Sequence, residues 1–394
     1  MGKLFLSICA VLLAVLLILS CGDNGTGSQD NYEIIWERSV LNQYPVYMSK
    51  MIMCSDGDIL IGGNYENDQT NSWDFAMIKV DTAADTVWVL ESPSPAELST
   101  GWPRDIEEKA SGSFLVAGYG TSSGDENDIF VMDVSATGTV VWDTVLNYLG
   151  FDQCSRVTET ADGGFVICGF TADNDPLYLQ AYAAKFNAPH NFAWQKPMID
   201  SFDTRLSGIA QTADGGFLMA GQIEHAIGSE SNIFVIGADN SGDTLWTMEL
   251  GGDGNDFTTD LLTIGGYHYI GGWTGSIADK GYDLYLAQVD DTGYVYWEEN
   301  YGSYDGEAPQ ALNSTDDGNI LAVGTRSTGA YPEPTIFLYK ISTSGTLLWE
   351  AYISTDFARV ISAIEGPDQT YYVLIEREVA NYDNEAVLMK IRVD

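Results

Sequence analysis

Seven tryptophans, Trp36, Trp88, Trp142, Trp194, Trp246, Trp297 and Trp349, recur along the 394-residue chain at gaps of 52, 54, 52, 52, 51 and 52 residues. Each stands in the same local phrase, so nearly the whole chain is one internal repeat. The phrase is clearest before Trp246. Ile209 to Thr212 reads as a first strand, Ala213-Asp214-Gly215-Gly216 as a tight turn, and Phe217 to Gly221 as a second strand. Ile233 to Ile236 reads as a third strand, Asp239 to Gly242 as another turn, and the segment holding Trp246 as the fourth. Glycines in such turns supply the positive φ that other residues resist.

A repeat of about 50 residues built from four short strands cannot bury its own faces and must stack on its neighbours, as the blades of a β-propeller do. The second and third strands are nearly continuous apolar runs, as expected of strands covered on both faces. A glycine is expected to close each second strand, at Gly63, Gly118, Gly169, Gly221, Gly272 and Gly324, with Ile375 in the last repeat. The two chain ends are complementary. Trp36 has no three strands before it, and the final repeat stops at Ile391 with no Trp strand after it. The expectation is an all-β, seven-bladed β-propeller with four antiparallel strands per blade, closed by the N-terminal strand completing blade 7.

Residues 1–21 read as a secretory leader: Lys3, an apolar stretch from Leu4 to Leu19, then Ser20-Cys21. The ending resembles a bacterial lipobox, which implies a lipidated Cys21. Sixteen apolar residues are short for a membrane span. Residues 22–31 are small and polar and read as a tether, leaving 32–394 for the propeller. The expected location is the cell envelope, periplasmic or at the cell surface, with the membrane as partner through Cys21.

The chain has 17 basic and 57 acidic residues, a net charge of −40. Nucleic acid is excluded as a partner, because phosphate binding needs basic patches. The acidity reads as a solvated surface rather than a calcium site, since no stretch has the spacing of a calcium loop. The body is expected to be monomeric. Cys54, Cys154 and Cys168 cannot all pair, and buried free thiols are the expectation.

Thr212 to Gly221 carries T-x-D-G-G-F-x-x-A-G, and Asp239 to Trp246 carries D-x-x-G-x-x-x-W. This pattern resembles bacterial delta-60-type and quinoprotein-like (PQQ-like) propeller repeats over residues 32–394. The resemblance implies the fold, and a role for the repeat tryptophans in docking neighbouring blades. Quinoprotein dehydrogenases resemble one another in eight blades and an adjacent Cys-Cys pair. This chain has seven repeats and no such pair, so no cofactor is expected.

Features that recur in every blade belong to blade geometry, and single-copy features are better candidates for function. The short uniform turns share one face. The longer second-to-third-strand loops (64–74, 119–128, 222–232, 273–283 and 325–335) and the stretch 91–105, stiffened by Pro93, Pro95 and Pro103, share the other, the top. The three tryptophans outside the repeat, Trp73, Trp102 and Trp273, all fall there. Arg104, Tyr282, Tyr304, Arg326 and Tyr331 are placed near them. Exposed Trp and Tyr suit a sugar or peptide face, so this set is the candidate ligand face for a glycan or a protein; the bland reading packs each Trp under its own loop. His190, His225 and His268 are too dispersed for a metal site, and no catalytic signature stands out. Asp105, Asp152, Asp203, Asp256, Asp305 and Asp356 recur before the first strands; they either ring the channel mouth or, as recurrence favours, bond backbone there. Two functions follow: a recognition or scaffold module using the variable loops, or a carbohydrate-active hydrolase or lyase with paired top-face carboxylates.

Overall fold

The computed structural model describes residues 31–41, 46–67, 72–92, 98, 100–121, 127–173, 178–199, 203–226, 228–276, 281–302, 306–327, 335–357, 359–379 and 384–393. Residues 1–21 with Cys21, most of the tether, and Pro93, Pro95, Tyr304, Asp305 and Tyr331 lie outside them.

β1 (Tyr32–Leu41) comes first. The next sheet is β2 (Val46–Met53), β3 (Ile59–Asn67), β4 (Ser72–Val80) and β5 (Thr86–Ser92). Then come β6 (Trp102–Glu108), β7 (Phe114–Thr121), β8 (Asn127–Val134) and β9 (Val140–Leu146). They are followed by β10 (Phe151–Glu159), β11 (Phe165–Ala172), β12 (Gln180–Asn187) and β13 (Asn191–Pro197). The chain continues with β14 (Asp203–Gln211), β15 (Phe217–Glu224), β16 (Ser231–Ala238) and β17 (Thr244–Leu250). Next are β18 (Asp256–Ile264), β19 (Tyr267–Thr274), β20 (Asp283–Val289) and β21 (Val295–Tyr301). After them come β22 (Gly306–Ser314), β23 (Ile320–Ser327), β24 (Thr335–Ile341) and β25 (Leu347–Ile353). The last three are β26 (Arg359–Gly366), β27 (Thr370–Glu378) and β28 (Asn384–Val393).

Each set pairs antiparallel in sequence order, and a single parallel pairing, Phe151 with Asn127, joins the β6–β9 and β10–β13 sets. β26 to β28 take β1 as their fourth strand, with Tyr32 opposite Val393 and Glu37 opposite Met389. The first strands touch in turn, from β2 through β6, β10, β14, β18 and β22 to β26, and β26 touches β2. Twenty-eight strands fit seven blades of four.

The core is divided among the sheet junctions. Phe217 and Met219 of β15 pack with Val166 and Cys168 of β11. Their neighbours Leu218 and Ala220 face the other way, onto Tyr285 and Ala287 of β20. One strand therefore feeds two cores on alternate residues, which is why its sequence is an unbroken apolar run. Cys54, Cys154 and Cys168 are buried and free.

The glycine expected at the end of each second strand lies inside it: β15 runs three residues past Gly221, to Glu224. The first strand bulges at that point. Leu206 faces Gly221 and Gly208 faces Ala220, leaving Ser207 as the extra residue. The same slip leaves Ser49, Arg104, Ser155, Thr259, Gln310 and Ile361 unpaired in the other first strands. A bulge pushes the preceding carbonyl towards its partner strand. A Cβ on Gly221 would stand 1.9 Å from the Arg205 carbonyl oxygen, and one on Gly169 1.9 Å from that of Gln153. In six sheets the glycine gives the bulge's carbonyl room, and in the seventh the same bulge faces Ile375.

The repeat tryptophans do link sheets, but they are half-buried rather than enclosed, because they sit on outermost strands. Trp246 lies over Gly293 in the turn of the following sheet, and Gly237 lies beneath it in its own. Trp88, Trp194 and Trp297 donate their indole N–H to the following turn, at the carbonyls of Ala136, Asn240 and Thr343. Trp142 stacks instead on His190, with centroids 4.3 Å apart and planes 6° apart.

Candidate functional site

The seven bulge residues converge. Ser49, Arg104, Ser155, Ser207, Thr259, Gln310 and Ile361 all line one cavity of about 540 Å³ on the central axis. One position of the repeat, displayed once per first strand, thus makes a ring of side chains. Four of the seven are hydroxyl-bearing, one is an amide, one is apolar and one is a guanidinium. Bulges commonly re-aim a side chain near a site in this way.

Above this ring the wall is aromatic, with Tyr47, Trp102, Tyr119, Phe257 and Trp273 in the lining. Trp102 is backed by Trp73 at 5.6 Å between centroids, and Tyr47 lies 5.0 Å from Trp73. Trp273 stacks on Phe257 at 4.1 Å with planes 23° apart, and meets Tyr282 edge-on at 4.2 Å. Each lining Trp is thereby held in place by other rings, which lowers the entropy lost when a ligand stacks on it.

Below the ring lies a layer of charged side chains. Lys50, Arg156 and Asp260 line both the upper funnel and a second cavity of about 640 Å³ beneath it. Arg156 Nη2 lies 2.8 Å from Asp260 Oδ1 and 3.3 Å from the Thr259 carbonyl oxygen. Asp260 also accepts the backbone N–H groups of Leu261 and Leu312, at 2.9 and 3.1 Å. Lys50 lies 3.3 Å from Asp105, whose other oxygen accepts the Val157 N–H at 3.0 Å. Arg156 reaches from β10 to β18 across the intervening β14, where the aligned residue is Gly208. Burial alone would raise the Asp260 pKa; Arg156 and then Lys50 override it and hold the carboxyl below its usual range.

The two cavities differ in charge. The lower is lined by Asp105, Glu107, Glu108, Glu159 and Asp260 against Lys50 and Arg156. Burial pushes the Glu107 carboxyl up to about 7, although it accepts the Glu159 N–H at 2.9 Å. The upper funnel has Lys50, Arg104, Arg156 and Arg359 against Asp260. Lys50 and Arg156 are paired as above, and Arg359 meets Glu376 at 2.7 Å. For Arg104 no hydrogen bond or ion pair exists among the described residues. Its side chain is open to the funnel's solvent yet enclosed by the walls; burial, and then Arg156 and Arg359, push its pKa down.

Of the residues singled out in the sequence, Trp102, Arg104 and Trp273 line the funnel, and Trp73 and Tyr282 back them. Arg326 does not join the lining. It sits 3.4 Å from Glu307, with its guanidinium over the Tyr352 ring at 4.4 Å. Tyr331 falls outside the described residues. The recurrent aspartates are not one ring. Asp152 accepts the N–H groups of Tyr148 and Leu149 and the Thr171 hydroxyl, and Asp256 bonds Gly252 N–H and the Thr274 and Ser276 hydroxyls. Asp105 belongs to a different position, one residue past the bulge, where Arg156 and Asp260 also stand. Asp105 stands only 47 residues before Asp152, short of the repeat, so the two were never equivalent positions. Among the described residues no group of three His, Cys, Asp or Glu is placed to hold a metal ion.

Sequence reasoning missed the bulge ring, though a signal exists. Each bulge residue lies seven positions before the same turn position, occupied by Asp56, Ser111, Asp162, Asp214, Gly266, Asp317 and Asp368.

The closed run of first strands, each carrying a four-stranded antiparallel sheet outward, defines a β-propeller. Solved structures agree. The chain is similar to a protein of unknown function from Dyadobacter fermentans, with TM-score 0.56 and 10% identity over 92% of this chain and all of that one. It is similar to the polysaccharide lyase Uly1, with TM-score 0.54 and 10% identity over 92% of this chain and all of that one. The β-propeller domain of the trilobed protease from Pyrococcus furiosus aligns with TM-score 0.52 and 10% identity, over 90% of this chain and 97% of that one. At such identity the likeness is one of fold. No family model and no curated protein matches the sequence.

Proposed function

We propose that this chain is a seven-bladed propeller acting as a recognition module, tethered to the outside of a membrane through lipidated Cys21, and that its ligand binds in the upper funnel. The observation that carries the reading is convergence: all seven bulge residues and both lining tryptophans, Trp102 and Trp273, meet in one cavity. Concave sites with ring walls and a few polar groups are the usual form of a ligand site. Stacking on Trp faces and hydrogen bonding from a floor of hydroxyls suit a saccharide best. Among the described lining residues Asp260 is the one carboxylate, and Arg156 and two backbone N–H groups occupy it. That lining does not bring together the carboxylate pair that glycoside hydrolysis uses, so binding is favoured over hydrolysis.

A polysaccharide binding screen with Trp102→Ala/Trp273→Ala beside the parent protein tests the site. The double variant should lose binding while melting within a few degrees of the parent. Retained binding would move the ligand elsewhere. The anchor is tested separately. Cys21→Ser should abolish lipidation and leave the body soluble after any cleavage, because so acidic a chain, −40 over its full length, has no affinity of its own for anionic lipid. A Cys21→Ser protein that still sediments with membranes would contradict lipid anchoring.

A further inference from the structure

The bulge position offers an internal control. Six of its seven occupants are neutral, and the seventh is Arg104. In a chain with 57 acidic residues, a guanidinium lacking a carboxylate partner among the described residues is conspicuous. Each other cation in the lining has its counter-ion: Asp105 for Lys50, Asp260 for Arg156, Glu376 for Arg359. Arg104 is open to the funnel's solvent, so water holds its charge until an anionic group replaces that water with a charge-assisted hydrogen bond. Lys50, Arg156 and Asp260 line the boundary with the lower cavity, and Arg104 lies on the funnel side of it. Four hydroxyl side chains and the Gln310 amide surround it at the same level, and ring faces stand above.

We propose that the funnel selects acidic saccharides, seating a carboxylate or sulfate of one sugar unit on Arg104 while Trp102 and Trp273 take the ring faces. This rests on the funnel being the binding site, and it adds the charge of the ligand. A guanidinium matches a carboxylate or sulfate in a two-pronged geometry, and such charge-assisted bonds are roughly twice as strong as neutral ones. The tryptophan walls over a hydroxyl floor favour a polyhydroxylated ring, whose faces stack while its hydroxyls bond below, over an acidic peptide. The acidic exterior repels polyanions at long range, so only a ligand that reaches Arg104 recovers that cost.

The experiment compares alginate, polygalacturonate, hyaluronan and chondroitin sulfate with their carboxyl-reduced or desulfated forms, and with polyglutamate. At least one acidic polysaccharide should bind the parent protein. Neutralising that ligand should weaken binding on the order of tenfold or more, as should Arg104→Met, and Arg104→Lys should recover part of the loss. The ligand comparison uses unaltered protein, so it holds even if Arg104→Met folds poorly. A neutral form that binds as well as its acidic parent, with Arg104→Met indifferent, would overturn the charge assignment and leave the funnel reading standing. Equal binding of polyglutamate would overturn the saccharide assignment. No binding by any acidic or neutral polysaccharide would overturn both.

Discussion

At the scale of single residues, two side chains report opposite demands on this architecture. Glu107 faces the lower cavity beside Asp105 and Glu159, and burial holds its carboxyl protonated up to about 7. An unfolded glutamate ionises near pH 4.5. Between those values the unfolded chain gives up its proton first, so this group makes stability fall as pH rises, with the full cost present above about pH 7. Glu107→Gln should therefore stabilise the protein at pH 8 by about 1–3 kcal/mol and hardly change it at pH 4. Thermal melts of both proteins across that range check this, and an equal effect at both ends contradicts it. Gly221 tests the bulge. Its would-be Cβ meets the Arg205 carbonyl oxygen, which is backbone and cannot swing aside. Gly221→Ala should cost about 2–3 kcal/mol, as overpacking does. Gly215, where nothing stands within 4 Å, serves as the uncrowded comparison; alanine there meets only its unfavourable φ of 87°. A denaturant midpoint unchanged by Gly221→Ala would mean that the strands can separate without loss.

At the scale of strands, the sequence was most legible where period and apolar runs coincide. Phe217 to Gly221 and Ile233 to Ile236 lie inside β15 and β16, and the Trp246 segment lies in β17. The incomplete repeats at the two ends pointed to the pairing of β1 with β28. What the sequence hid was the bulge, because one extra residue in seven strands leaves the 52-residue period intact. Asp105 was aligned with Asp152 and Asp256 although it stands 47 residues before Asp152, short of the period, and Gly221 looked like a strand end because the motif stops there. The half-burial of the repeat tryptophans was not legible either, since a motif shows that Trp246 has a partner but not that its strand is outermost. Deleting residues 32–41 should leave β28 as an open edge. Such a protein should aggregate or lose its cooperative transition in scanning calorimetry, and a melt indistinguishable from the parent would contradict closure by β1.

At the scale of the molecule, the repeat acts twice. It supplies near-identical sheets whose faces are buried only by their neighbours, and it brings one variable position per sheet to a common axis. Trp102, Arg104 and Trp273 were legible as single-copy residues on longer connections, whereas Ser49, Ser155, Ser207, Thr259 and Gln310 were not, since each looks ordinary until the seven are superimposed. Arg326 lies outside the funnel lining, because proximity along a loop says nothing about which carboxylate a guanidinium will find; it found Glu307. The central claim is that the funnel ringed by the bulges receives the ligand. Hydrogen exchange of the parent protein, with and without a saturating polysaccharide from the screen, tests it most directly. The account predicts added protection in the first strands around Arg104, Ser155 and Thr259 and little change on the outer strands around Val141 and Leu245. Protection confined to the outer strands, with the first strands unaltered, would contradict it.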